Sequence, residues 1–229
     1  MATITGLTSE RMQEIVDKTL VGASIVSNEL ILELEDGSTI DAGSVVATTP
    51  PVVTTKAALA ALETFNGREA YYEFDSANGK RWHLVYDLPN DRWTVVGGPP
   101  LLTNANSDVG SPGTGTAYGV TGSMTVTCPL AGSYMVQIGG DARQTNGSGL
   151  PIVGYQSYQV GATAPSDADA AMSYHTVVNI IQTVVSPIRE KVVASGTVID
   201  EARKDNNASF GITLSNRFLY AMPTYVTTA

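Results

Sequence analysis

Cysteine is almost missing from this chain: Cys128 is the only one among 229 residues. An intramolecular disulfide is therefore excluded, and packing and oligomerisation must hold the molecule together. Charge is sparse, at 15% of residues, and unbalanced, with 13 Lys and Arg against 22 Asp and Glu and a formal net charge of -9. A surface of that sign repels a phosphate backbone, so DNA and RNA are poor partners. No segment approaches the ~20 consecutive apolar residues that span a bilayer. The opening Met1-Ala2-Thr3-Ile4-Thr5 has neither the basic run nor the apolar stretch of an export signal. Neither membrane insertion nor Sec export is expected. Histidine is scarce too: His83 and His175 lie far apart without partners at metal-ligand spacing, so no zinc site is legible.

What is present points to β structure. Hydrophobic residues make up 43% of the chain, and Thr, Val, Gly, Tyr and Ser outnumber the helix formers Glu, Lys and Arg. Near the start, Thr8 or Ser9 can cap a short helix with Met12, Ile15, Val16 and Leu20 on one face, which reads as a docking element. Leu30 to Val46 then alternates as a hairpin about Asp36-Gly37-Ser38. A three-residue loop places Ile40 and Ala42 opposite Leu34 and Leu32. A two-stranded hairpin is marginal alone, so the face of Leu30, Leu32, Leu34 and Ile40 is expected to seal a collar between identical chains.

Ala47 to Thr55 contains Pro50-Pro51 and reads as an extended linker. Lys56 to Phe65 reads as a helix capped by Thr54 or Thr55, with Ala58, Leu59, Leu62 and Phe65 buried. From Tyr71 to Val96 the period becomes two, predicting a meander whose one side carries Tyr72, Phe74, Trp82, Leu84, Tyr86, Trp93 and Val95. Thr103 to Gly119 lacks periodicity and reads as a linker or strap. From about Val120 onward, strands near 123–128, 133–139, 153–160, 174–185, 189–199, 208–214 and 217–222 predict an antiparallel, jelly-roll-like sandwich. The expected organisation is therefore mainly β. It comprises residues 1–46 as anchor helix and trimeric collar, 47–101 as linker, short helix and aromatic meander, 102–119 as linker, and 120–229 as sandwich.

No catalytic set, metal ligand set or cofactor motif is legible. Cys128 precedes Pro129 without a nucleophile signature and reads as a packed thiol. Asp167 and Asp169 lack the ligand ladder of a calcium loop and read as a polar turn. Glu190, Asp200, Glu201 and Asp205 include enough carboxylates for a glycosidase pair, yet their neighbours read as exposed strand ends, with solvated charges. Trp82 and Trp93, with Tyr155 and Tyr158, are the candidates for stacking on a glycan. The competing reading is core packing, since burying a large apolar side chain contributes about 1.5–3 kcal/mol.

Several patches resemble a known family. Ile4-Thr5-Gly6-Leu7-Thr8-x-x-Arg11-Met12-x-x-Ile15, followed by Leu30-Ile31-Leu32-x-Leu34-x-Asp36-Gly37-Ser38-x-Ile40-x-Ala42-Gly43-Ser44-Val45, resembles the N-terminal region of tailed-bacteriophage minor tail, fibre and head-decoration proteins, those of actinobacterial phages most of all. Trp93-Thr94-Val95-Val96-Gly97-Gly98-Pro99-Pro100-Leu101, Pro129-Leu130-Ala131-Gly132-Ser133-Tyr134 and Ser215-Asn216-Arg217-Phe218-Leu219-x-x-x-Pro223 are similar to pieces of such proteins. The resemblance implies a homotrimer attached to a capsid or tail protein by its N-terminus, with a β-sandwich displayed on the virion surface after assembly in the host cytoplasm. A collagen-like Gly-X-Y stalk, common after the collar in relatives, is missing, which implies a short spike. On this reading the chain is a structural virion protein and not an enzyme. The alternative is a receptor-binding module whose sandwich recognises host cell-wall glycans.

Overall fold

The computed structural model describes residues 3–4, 20–26, 29–46, 49–110, 117–145, 151–206 and 211–228. The fold is mainly β, built from antiparallel sheets, and divides into two compact units, Met1–Pro51 and Val52–Ala229.

The first unit is a four-stranded sheet of β1 (Thr3–Ile4), β2 (Leu20–Val26), β3 (Glu29–Leu34) and β4 (Thr39–Val46), in the order β1-β4-β3-β2. The expected hairpin is β3–β4, with its loop one residue earlier, at Glu35-Asp36-Gly37. The Gly37 N–H donates to the Leu34 carbonyl at 2.9 Å and the Leu34 N–H to the Ser38 carbonyl at 3.0 Å. Gly37 has a φ of 78°. A three-residue loop of this kind needs its left-handed residue last, where glycine costs least. Ile40 therefore faces Leu32, not Leu34, a slip of two that leaves the face unchanged.

One further expectation is corrected. Leu20 does not end a helix; it opens β2 and pairs with Leu34, along the edge of β3 that β4 leaves free. The hairpin is thus flanked by strands on both sides. Leu34 and Leu32 are 1% and 8% exposed within a single chain. Met12, Ile15, Val16 and the anchor helix lie outside the described residues, as do the side chains of Leu30 and Ile40.

The second unit opens with β5 (Val52–Val53) and a helix, α1 (Lys56–Ala60), capped by Thr55, whose Oγ1 accepts from the Ala58 N–H at 3.1 Å. The helix stops before the expected Phe65: Leu59 is its one fully buried side chain, and Thr64 and Asn66 are poor helix formers. The meander follows as β6 (Glu69–Asp75), β7 (Lys80–Asp87) and β8 (Arg92–Gly97), then β9 (Leu101–Ala105) and β10 (Val109–Gly110). The remainder is β11 (Gly119–Thr127), β12 (Ala131–Gln144), β13 (Ile152–Val160), β14 (Ala171–His175), β15 (Gln182–Val185), β16 (Arg189–Val193), β17 (Val198–Asp205) and β18 (Ile212–Thr227).

These strands form a ten-stranded sheet along the path β15-β12-β18-β8-β7-β6-β5 and a four-stranded sheet, β11-β17-β13-β14. In the larger sheet, β16 joins β12, while β9 and β10 join β18. The meander is therefore not a module of its own: Trp93 and Thr94 of β8 pair with Val226 and Tyr225 of β18. Likewise, part of the expected 102–119 linker is strand, since Leu101–Ala105 pairs with residues 217–221.

One apolar core joins the sheets. It takes Trp82, Trp93, Tyr134, Val136, Ile138 and Leu219 from the larger sheet and Met124, Val126, Tyr158 and Ile199 from the smaller. Tyr134 seats its hydroxyl on the Leu130 carbonyl at 2.9 Å. Gly132 is demanded by close packing, because a β carbon there would strike the Tyr225 carbonyl.

Candidate interaction surface

The core is not apolar throughout. Between the main cluster and a smaller one of Ala142, Ile152, Ile212 and Leu214, the inward positions of β13, β17 and β18 carry Gln156, Glu201, Arg203 and Arg217, all buried. Glu201 is 0% exposed. Its carboxylate accepts from Gln156 Nε2 at 2.9 Å, Ser123 Oγ at 3.0 Å and the Arg217 guanidinium, and lies 3.7 Å from Arg203 Nε. Arg203 Nη1 donates to the Gly110 carbonyl at 2.6 Å. Burial pulls the Arg203 pKa below its ordinary value, partly offset by the Glu201 charge. Two guanidiniums thus share one carboxylate in this layer, and Arg203 Nε, Arg217 Nε and Gln156 Oε1 are buried without a hydrogen-bond partner, so loss of the carboxylate would leave two cations enclosed and uncompensated.

The opposite inversion occurs outside. Of fifteen large hydrophobic side chains exposed among the described residues, eight fall between Met172 and Val192. Met172 and Tyr174 stand outward on β14, the edge of the smaller sheet; Val177, Ile180 and Ile181 lie on the connection; Val185 and Val192 belong to β15 and β16, which line the edge of the larger one, and Ile188 precedes β16. Val192 is 74% exposed. This flank is held firmly. The Asp141 carboxylate accepts from Thr183 Oγ1 at 2.6 Å and Asn216 Nδ2 at 2.8 Å, which keeps its pKa below the usual carboxylate range.

The strand edges along the flank are guarded while its apolar side chains are not. The Gln182 side chain accepts from the Tyr174 N–H at 3.1 Å and donates to the Tyr174 carbonyl at 2.7 Å, taking the place of a neighbouring strand. On β16 the edge carries Arg189, Glu190 and Lys191, charges of the kind that discourage strand addition. Arg189 donates to the Ala168 carbonyl, and Lys191 Nζ lies 2.9 Å from both Asp169 oxygens.

The glycan candidates are placed elsewhere. Trp82 and Trp93 are 0% and 1% exposed, and Tyr158 is equally enclosed, so their ring faces meet protein and none can stack on a sugar. Tyr155, half-buried, is covered by Lys204, whose Nζ sits 4.6 Å from its ring and 4.5 Å from that of Tyr118. Asp167 and Asp169 form a 3-10 turn as a polar turn should, one carboxylate bonded to Lys204 and the other to Lys191. Among the described residues no cluster of three or more His, Cys, Asp or Glu is placed to hold a metal. Cys128 is buried, with its thiol pushed up to about 12 by desolvation.

Two expectations for titratable residues are corrected. Glu201 and Asp205 are buried, not solvated strand ends, because β17 is central in its sheet and covered on its inner face. Glu190 remains exposed and accepts from Ser133 Oγ. His175 is buried with both ring nitrogens unbonded, and burial lowers its pKa. The flank itself was not singled out by sequence reasoning; its one signal is the absence of Asp, Glu, Lys and Arg from Ala170 to Ile188. The chain matches no protein-family model and no curated protein.

Proposed function

We propose that this chain is a structural virion protein of a tailed bacteriophage, working by binding and not by turnover. On this reading it is a homo-oligomer, a trimer by the resemblance, attached to a capsid or tail protein through its N-terminal region and displaying the larger unit on the virion surface. The observation that carries the reading is the inversion of polarity in that unit: charged groups are enclosed around Glu201, whereas apolar side chains stand outside on a flank bonded to the sheet through Asp141 and Gln182. An enzyme needs accessible, poised titratable groups; an assembly protein needs contact surface. The patches similar to minor tail, fibre and head-decoration proteins supply the virion setting.

Immunogold labelling of intact, purified particles tests this. Gold at regular positions on the head or tail is expected, and its position identifies the attachment point. Particles that carry no label, while the chain stays in the soluble fraction of the lysate, would remove the reading.

A further inference from the structure

We infer that the flank from Met172 to Val192 is the surface on which copies of this chain pack against one another. The inference rests on the assembly reading above and names the partner for its exposed surface. Four observations select a second copy as the occupant. First, a molecule of net charge -9 repels its own kind, and contact between copies requires a face without concentrated acid. Ala170 to Ile188 carries no Asp, Glu, Lys or Arg.

Second, the rim is self-complementary. Arg189 and Glu190 are both exposed, so a copy approaching in antiparallel sense and centred between these two residues sets its Arg189 beside Glu190 and its Glu190 beside Arg189, while Lys191 stays with Asp169 of its own chain. Third, the size fits. Of the 21 residues from Met172 to Val192, all but the buried Ser173, His175 and Ser186 reach the surface, which leaves 18 (21 - 3), close to the roughly 20–30 residues a side of a specific interface. Fourth, the edges are blocked by Gln182 and by the β16 charges. The contact is consequently made by side chains and not by strand addition.

The test is size-exclusion chromatography with light scattering on the full chain and on Val192→Glu, Ile181→Glu and, as a control, Val96→Glu. Val96 is an exposed valine on β8, at 53% against 58% for Ile181 and 74% for Val192. Wild type and V96E are expected at the same whole multiple of 24.0 kDa, and V192E and I181E at 24.0 kDa with unchanged melting. If a glutamate variant fails to fold, Val192→Ser and Ile181→Ser replace it, with an expected rise in dissociation constant of at least tenfold. A monomeric wild type, or flank variants that keep the wild-type mass, would overturn the inference. Particle labelling separates the two claims: a monomer that still decorates virions defeats the flank alone, and an oligomer absent from particles defeats the virion reading alone.

Discussion

The layer around Glu201 and the flank around Val192 belong to the same unit and invert each other. One holds charge where apolar side chains are the rule; the other shows apolar side chains where charge is the rule. In both, the exception is tied down by specific bonds. Glu201 takes hydrogen bonds from three side chains, and the flank is fastened through Asp141, Gln182 and Lys191. Rigidity at both places teaches that neither is an accident of loose packing. The interior exception fixes how the two sheets register, and the exterior one gives the fixed sheets something to meet.

The largest way to break this contrast is Glu201→Ala. It leaves two buried arginines facing one another without a carboxylate, and removing one partner of a buried pair costs about 3–5 kcal/mol. Denaturant unfolding should show an unfolding free energy lower by that amount. A loss under 1 kcal/mol would mean that the layer is wetter than its burial implies. Leu34→Asp, in the first unit, comes next. Because Leu34 is enclosed within its own chain, the expected result is local unfolding of Met1–Pro51, read as loss of amide protection there, at a cost of about 2–5 kcal/mol. Dissociation of copies with the unit still protected would support the collar that the sequence suggested.

Acid provides a third and smaller handle. His175 is buried with a lowered pKa, so between that value and 6.5 the unfolded chain binds a proton that the native one does not. Stability therefore rises with pH through this interval, is complete above about 6.5 and declines as pH falls below it. Asp141 and Asp167, whose native pKa values are depressed, add losses of the same sign at lower pH. Melting followed from pH 7.5 to 5 should steepen below 6.5 in wild type, and His175→Gln should flatten that first segment. Parallel slopes in the two proteins would exclude His175 as the group responsible.

How far the sequence disclosed this arrangement differs by element. The meander was legible because Tyr72, Trp82, Leu84, Tyr86 and Trp93 alternate cleanly and all point inward, and Gly79 with a φ of 62° marks its turn. The segment Tyr174 to Val185 was not. Val177, Val178, Ile180 and Ile181 read as a buried strand on hydrophobicity, yet Asn179 takes a φ of 62° and separates β14 from β15. Conversely, Ser215-Asn216 looks like a turn between two strands, whereas Asn216, φ 45°, sits in a bulge of the single strand β18 and bonds Asp141. Nothing in Glu201-Ala202-Arg203-Lys204-Asp205 distinguishes a solvated strand from a buried one. The decision is made by distant residues, among them Gly140, where a β carbon would come within 3.1 Å of Arg217 Cγ.

The smallest effect is expected where the contrast is sharpest. Val192→Ser removes apolar surface that the isolated chain never buries, so below the concentration at which copies associate its unfolding free energy should stay within about 0.5 kcal/mol of wild type. At high concentration the two proteins should part, because association that stabilises only the native state raises the wild-type midpoint with protein concentration. The measurement is a pair of thermal melts repeated across a hundredfold range of concentration. A concentration-dependent midpoint in wild type that vanishes in the serine variant ties the exposed valine to association, while equal destabilisation at every dilution shows that Val192 supports the fold of a single chain.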